Sequence, residues 1–159
     1  MKALVIYDSA YGNTEKIAQA IAAGLGASAE VELLQVSKLS PGQLPGADLL
    51  VVGSPTQRFR PTLPITGLLK ALPPKSLAGV QAAAFDTRLA LDEIQGSALR
   101  FIVKSGGYAA KPIAERLRKA GARLAAPPEG FLVRDTEGPL LDGEIERAGQ
   151  WARSLLAAR

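Results

Sequence analysis

The sequence predicts an α/β fold in which a parallel sheet is packed between two layers of helices. Two observations carry this expectation. Short apolar runs alternate along the chain with segments whose apolar residues recur at helical spacing, which is how a sheet covered on both faces reads in a sequence. The 159 residues, 47% hydrophobic and 21% charged, contain no linker, repeat or low-complexity tract, so residues 1–159 are read as one domain with one layered core.

Taken in order, Lys2–Tyr7 is an apolar first strand. Thr14–Leu25 follows as a helix, because Ile17, Ile21 and Leu25 stand at i, i+4 and i+8 on one face. Glu30–Val36 reads as the second strand. Turns at Pro41-Gly42 and Pro45-Gly46 lead into Asp48–Ser54, whose Leu49-Leu50-Val51-Val52 core suits a central third strand. Leu63–Leu72 is a helix stopped by Pro73-Pro74, and Gly79–Asp86 is the fourth strand. After a long connection, Pro112–Ala120 is a helix with Pro112 in its first turn, Ile113, Leu117 and Ala120 facing inward, and Gly121 as its stop. The fifth strand has two candidate pieces, Ala122–Ala125 and Phe131–Val133, separated by Pro127-Pro128-Glu129-Gly130, where a continuous ladder would break. Asp142 is placed to cap the last helix, whose inner stripe is Ile145, Ala148, Ala152 and Leu155.

Composition excludes several chemistries. The chain has no Cys and no His, which removes thiolate metal sites, cysteine nucleophiles, dithiol redox chemistry and Ser-His-Asp catalysis. Whatever chemistry occurs uses a cofactor or carboxylates. No metal-ligand set and no catalytic residue is read from the sequence. The opening apolar run is too short for a signal-peptide core, and no run reaches membrane-spanning length. The expectation is a soluble, cytoplasmic protein with no membrane partner. The formal charge is +4, and it is uneven: residues 55–123 hold twelve of the nineteen basic residues and four of the fifteen acidic ones. That middle third is where an anionic ligand or partner is expected.

The informative stretch is Asp8-Ser9-Ala10-Tyr11-Gly12-Asn13-Thr14, between the first strand and the first helix. Successive backbone N–H groups and a helix N-terminus converge in such a turn, so an anion is stabilised without a cationic side chain. Ser9, Tyr11 and Thr14 add hydroxyls, Gly12 permits close backbone approach, and Asn13 suits turn dihedrals and helix capping. The loop holds no Lys or Arg, and both the Gly-x4-Gly-Lys-Ser/Thr and Gly-x-Gly-x-x-Gly patterns are absent. A phosphate monoester therefore fits better than a triphosphate with magnesium or a dinucleotide. Taken alone, the same residues equally suit a plain strand-to-helix turn capped by Asn13 or Thr14. At the end of the third strand lies a polar loop, Gly53-Ser54-Pro55-Thr56-Gln57-Arg58-Phe59-Arg60-Pro61.

Ser9-Ala10-Tyr11-Gly12-Asn13-Thr14 resembles the phosphate loop Ser/Thr-x-Thr-Gly-Asn-Thr of the flavodoxin family, and Gly53-Ser54-Pro55-Thr56 resembles its second landmark. Phe85-Asp86-Thr87-Arg88 aligns with the family's third loop but carries no glycine at positions 86, 87 or 88, and Tyr11 replaces the usual Thr. A similar Tyr-Gly-Asn-Thr occurs in flavodoxin modules of flavodiiron proteins. The resemblance spans the chain. It implies a flavodoxin-like three-layer sandwich with a five-stranded parallel sheet of order 2-1-3-4-5, so that the first two loops face one crevice. It also implies FMN bound without a covalent bond. The phosphate would lie on residues 9–14, and the ring system between Ser54, Pro55, Thr56, Gln57 and Phe59 on one side and Asp86, Thr87 and Arg88 on the other. Phe59 is the preferred stacking residue and Tyr108 a weaker one.

Two readings of Arg88 stand at this stage. Either it favours the anionic reduced flavin, aided by Arg58 and Arg60, or it is solvated or paired with Asp86. Ser97–Lys104 is an apolar stretch suited to the core or to docking, and Arg116, Arg118, Lys119 and Arg123 form a basic cluster. This cluster suits a solvated helix face or an acidic redox partner, whereas no motif supports nucleic-acid binding. The leading functional reading is an FMN-binding electron-transfer protein acting between redox partner proteins with acidic docking surfaces, monomeric by default. The alternatives are a flavin-dependent NAD(P)H:quinone oxidoreductase and a flavin-free interaction module.

Overall fold

The computed structural model of the chain describes residues 1–39, 44–90 and 107–158; the Pro41-Gly42 turn and Ser97–Lys104 lie outside these residues. Six strands and four α-helices are described: β1 (Lys2–Tyr7), α1 (Asn13–Gly26), β2 (Glu30–Gln35), β3 (Leu49–Pro55), α2 (Leu63–Lys70), β4 (Gln81–Leu89), α3 (Ala110–Lys119), β5 (Arg123–Leu124), β6 (Glu129–Val133) and α4 (Glu144–Ala157). Every strand pairing in the sheet is parallel. The order is β2-β1-β3-β4-β5, with β6 also on β4.

Two apolar layers follow from the alternation of side chains along the central strands. Leu4, Ile6, Leu50, Val52, Ala82 and Ala84 pack on one face against Ile65 and Leu69 of α2 and Ile113, Ala114 and Leu117 of α3. Ala3, Val5, Tyr7, Leu49, Val51, Ala83 and Phe85 pack on the other against Ile17, Ile21 and Leu25 of α1 and Ala148, Ala152 and Leu155 of α4. Helices α1 and α4 touch closely at Gly24, where a Cβ would lie 2.7 Å from the Gly149 carbonyl oxygen. A Cβ on Gly53 would fall on the Phe85 ring. The absence of one at this β3 position lets Phe85 lie across the sheet and meet Phe131 and Trp151 edge to face, at centroid separations of 6.1 and 6.3 Å.

Both candidate pieces of the fifth strand form, as β5 and β6, so the sheet has six strands where five were expected. Ala82 of β4 faces Leu124, but Phe85 faces Glu129, so the edge segment advances two residues further than β4 between these points. The excess loops out around Pro127 and Pro128, which have no N–H to give the ladder. β4 also runs past the expected end at Asp86 to Leu89, because β6 pairs with it from Phe85 to Leu89.

The last helix differs from expectation at its start. Asp142 does not cap it. Gly143 is the N-cap, with φ 85°, and no side chain bonds there. Ile145 is 44% exposed, and the inward place belongs to Glu144. Its Oε2 accepts the Leu132 N–H at 2.7 Å, and Arg147 donates to both carboxylate oxygens at 2.8 Å. Arg147 also lies 4.5 Å from the Phe131 ring centroid and pairs with Glu129, so one buried carboxylate ties α4 to β6. Burial acts to raise the Glu144 pKa, but the Arg147 hydrogen bonds, the Leu132 N–H and the Arg147 charge together hold it below its ordinary 4.5. A depressed carboxylate stabilises the fold above its unfolded pKa and loses that contribution as pH falls through its folded pKa. Glu144→Gln is expected to cost about 1–2 kcal/mol at neutral pH, measured by urea unfolding, with the difference from wild type shrinking as pH drops below 4.5. An undiminished difference in acid would show that the charge is not what matters.

Candidate functional site

The chain turns to opposite sides of the sheet after β1 and β3, and a crevice opens above their carboxyl ends. The Asp8 N–H reaches the Gly53 carbonyl at 3.2 Å and holds the two exits together. A cavity of about 450 Å³ lies there, within the range of small-ligand sites.

The loop from β1 to α1 forms one wall through Ala10, Tyr11, Asn13 and Thr14. Gly12 has φ +91°, a left-handed conformation that costs an L-residue with a side chain roughly 1–2 kcal/mol. It serves as the N-cap, and neither Asn13 nor Thr14 caps the helix. Asn13 instead donates to the Glu137 carbonyl at 3.1 Å. Thr14 shares a buried 2.8 Å hydrogen bond with Thr87 of β4. The Ser9 hydroxyl accepts the N–H groups of Gly12 and Glu15 at 3.1 and 3.4 Å. The N–H groups of Ala10, Tyr11, Asn13 and Thr14 have no acceptor among the described residues. They form an uncommitted donor set at a helix start, where negative charge is favoured. The Tyr11 ring, 56% exposed, stands at the rim.

The loop after β3 forms the opposite wall through Pro55, Thr56, Gln57, Arg58 and Phe59. Gln57 and Arg60 exchange both main-chain hydrogen bonds, at 2.8 and 2.9 Å, around Arg58 at φ 49° and Phe59 at φ 69°. Two successive positive φ values in a two-residue turn normally select glycine or asparagine. An Arg-Phe pair held there is strained, at about 1–2 kcal/mol per residue. The loop's base resists relaxation. Ser54 is fully buried, accepts the Thr62 N–H at 3.0 Å and donates to the Pro55 carbonyl at 2.9 Å. Thr56 donates its N–H to the Thr87 carbonyl at 2.9 Å, and its hydroxyl accepts the Ala109 N–H at 3.1 Å.

The segment expected to be a third loop is strand. Phe85-Asp86-Thr87-Arg88 belongs to β4, because β6 extends the ladder on that side. Thr87 and Arg88 line the cavity, whereas Asp86 is 0% exposed and lies behind it. Asp86 accepts Arg88 Nε and Nη2 at 2.6 and 2.8 Å and the Ala110 N–H at 2.8 Å. Arg88 stacks 3.7 Å from the Tyr108 ring centroid and lies on Gly130, where a side chain would collide with it. Burial raises the Asp86 pKa against the opposing pull of Arg88 and the Ala110 N–H. Of the two readings of Arg88, the structure has the paired one. Its charge is compensated, so it does not act as a free cation on the cavity.

Ser9, Gly12 and Ser54 support the loops without lining the cavity, and Phe59 is on its wall while Tyr108 is turned to Arg88. Leu89, Val133 and Thr136 also line it and were not singled out from the sequence. Leu89 and Val133 reach it through the β4–β6 register, which periodicity alone does not set. Arg58 and Arg60 are exposed and have no acidic partner among the described residues. No group of His, Cys, Asp or Glu among the described residues is arranged to hold a metal. The arrangement suits an elongated ligand with a phosphate at α1 and a flat apolar part toward Phe59.

Comparison with known proteins agrees with this architecture. The family model described as flavodoxin matches residues 5–149. Oxidised flavodoxin 2 from Bacillus cereus is 23% identical over 100% of both chains, with a TM-score of 0.79. A flavodoxin from the domain Archaea is 22% identical over 99% of this chain and 97% of that one, with a TM-score of 0.73. Rubredoxin oxygen:oxidoreductase from Desulfovibrio gigas is 23% identical over 99% of this chain but 36% of its own, with a TM-score of 0.72.

The two partners of the buried pair are not equivalent. Arg88→Gln strands a carboxylate with no route to water, and is expected to cost about 3 kcal/mol. Asp86→Asn leaves a guanidinium that is 21% exposed and still reaches solvent, and is expected to cost about half as much. Urea unfolding of the two variants checks the order, and the reverse order would refute it.

Proposed function

Because the chain belongs to the flavodoxin family, we propose that it binds FMN in the cavity between the β1 and β3 loops and carries electrons between redox partner proteins with acidic docking surfaces. The observation that carries this reading is the set of acceptor-free N–H groups at Ala10, Tyr11, Asn13 and Thr14 beside an apolar wall at Pro55 and Phe59. A phosphate monoester satisfies those donors without a cationic side chain.

The residues present fit the group. The N–H groups of Ala10, Tyr11, Asn13 and Thr14, with the hydroxyls of Thr14 and Thr87, would hold the phosphate, and Ser9 would brace the loop behind it. Phe59, Pro55 and Leu89 would flank the ring system, and Tyr11 would cover its outer side. FMN supplies electron uptake and release when bound. The chain's own residues bind, orient and limit water. The Thr14–Thr87 hydrogen bond fixes the α1 start against β4, and the Gln57–Arg60 turn fixes Phe59 before a ligand arrives, which lowers the ordering cost of binding. The Asp86–Arg88 pair keeps the β4 wall near neutrality, so a negative charge gained on reduction meets little direct help from that side. No side chain is required as acid or base.

Purified protein is expected to be yellow, or to become so on titration with FMN. Thr14→Val is expected to weaken FMN about tenfold while leaving riboflavin affinity nearly unchanged, whereas Phe59→Ala weakens both. Fluorescence titration with the two ligands makes the measurement. A colourless protein that ignores added FMN overturns the proposal, and equal losses for both ligands in Thr14→Val overturn the placement of the phosphate.

A further inference from the structure

Exposed charge is uneven across the sheet. The β2 edge and adjoining α1 carry Glu15, Glu30, Glu32 and Asp48 interspersed with Lys2, Lys16 and Lys38 on the surface, so the two signs nearly balance there. The opposite edge is basic: Lys111, Arg116, Arg118 and Lys119 on α3 and Arg123 on β5 are all exposed. Acidic groups on that edge are few among the described residues. Glu115 shares the α3 surface, and Glu129 is engaged by Arg147.

This basic edge has a concave centre. A groove of about 380 Å³ runs between α3 and Pro128, lined by Tyr108, Lys111, Glu115 and Arg118, with Arg88 at its inner end. Lys111, Glu115 and Arg118 stand at i, i+4 and i+7, so they line the groove as one stripe of the helix. Lys111 and Arg118 have no ion-pair partner among the described residues. Arg88 lines both the groove and the cavity between the β1 and β3 loops. A molecule seated in the groove is therefore separated from the cavity by the Arg88 side chain and the Tyr108 ring stacked on it.

We propose that the α3 edge, centred on the Tyr108–Lys111–Arg118 groove, is the docking surface for an acidic protein. Complementary charge steers encounter and orients the partner, and the shared Arg88 wall brings that partner to the side of the cavity where electrons would enter or leave. The redox role of the surface rests on the FMN reading. Its charge recognition does not.

A fluorescent deca-glutamate peptide probes the surface directly. It is expected to bind the wild-type protein at low ionic strength and to be released as salt rises. Lys111→Glu/Arg118→Glu is expected to weaken binding about tenfold or more. Lys2→Glu/Lys38→Glu, an equal charge change away from α3, is expected to weaken it far less. Both variants are expected to keep wild-type FMN affinity, read in parallel titrations. Peptide binding that is equal in the two variants, or absent in the wild type, overturns the docking surface. Loss of FMN binding by the wild type, with selective peptide binding retained, overturns the functional reading and leaves this surface standing.

Discussion

The first N–H groups of an α-helix have no partner inside the helix, and in α1 this deficit is held open at the mouth of a crevice. Its position depends on the sheet. β1 delivers the chain to the crevice because β2 and β3 pair on either side of it, and α1 is fixed by Ile17, Ile21 and Leu25 packing on the sheet face. Gly12 then turns the backbone at φ +91°, where a side chain would add strain. Ser9 takes up two of the donors and leaves four. The opposite wall has meaning only relative to these groups, since its distance from them is set by the β1–β3 register.

Stability is spent unevenly around this crevice. The layers beneath it are ordinary apolar packing, whereas its walls hold a strained Arg58-Phe59 turn and a buried Asp86–Arg88 pair. Neither is what stability alone would choose, because glycine relieves such a turn and an apolar pair avoids desolvation. Each fixes a side chain facing the cavity. Strain that persists where surrounding hydrogen bonds over-determine it is characteristic of sites that must be formed in advance. Here Ser54, Thr56 and Thr62 provide that over-determination. The same logic applies to Gly130 and Gly53, where the absence of a Cβ admits Arg88 and Phe85.

Much of this was legible in the sequence because it depends on local pattern. The β1 and β3 apolar runs, the i, i+4, i+8 stripe of α1 and the Gly12-Asn13-Thr14 turn each state their own structure. What was not legible depended on pairing between distant segments. β4 continues to Leu89 only because β6 pairs with its end, and β6 arrives there only after Pro127-Pro128 loop out. The supposed third loop was misplaced for that reason. Ile145 and Asp142 illustrate a second limit. An apolar residue at the right spacing yielded the inward position to Glu144, because a carboxylate met by Arg147 and the Leu132 N–H can be buried when all its oxygens are bonded. Periodicity ranks residues by polarity and cannot foresee that partner.

Arg88 shows how such pairing changes the meaning of a charge. In sequence it stands with Arg58 and Arg60 as one of three cations near the site. In the structure its fork is closed on Asp86 and its face on Tyr108, so it contributes shape and a fixed surface more than net charge. Arg58 on the cavity wall and Arg60 next to it remain exposed, where solvent screens them at short range yet leaves their sum visible to a large approaching body. The basic excess of the middle third of the chain therefore acts outward more than inward. A small ligand in the cavity would meet oriented backbone dipoles, a neutralised β4 wall and the exposed Arg58, while a macromolecule outside would meet the exposed cations of α3 and the second loop. The cavity and the α3 groove share one wall, the Arg88 side chain, with Tyr108 stacked on it from the groove side.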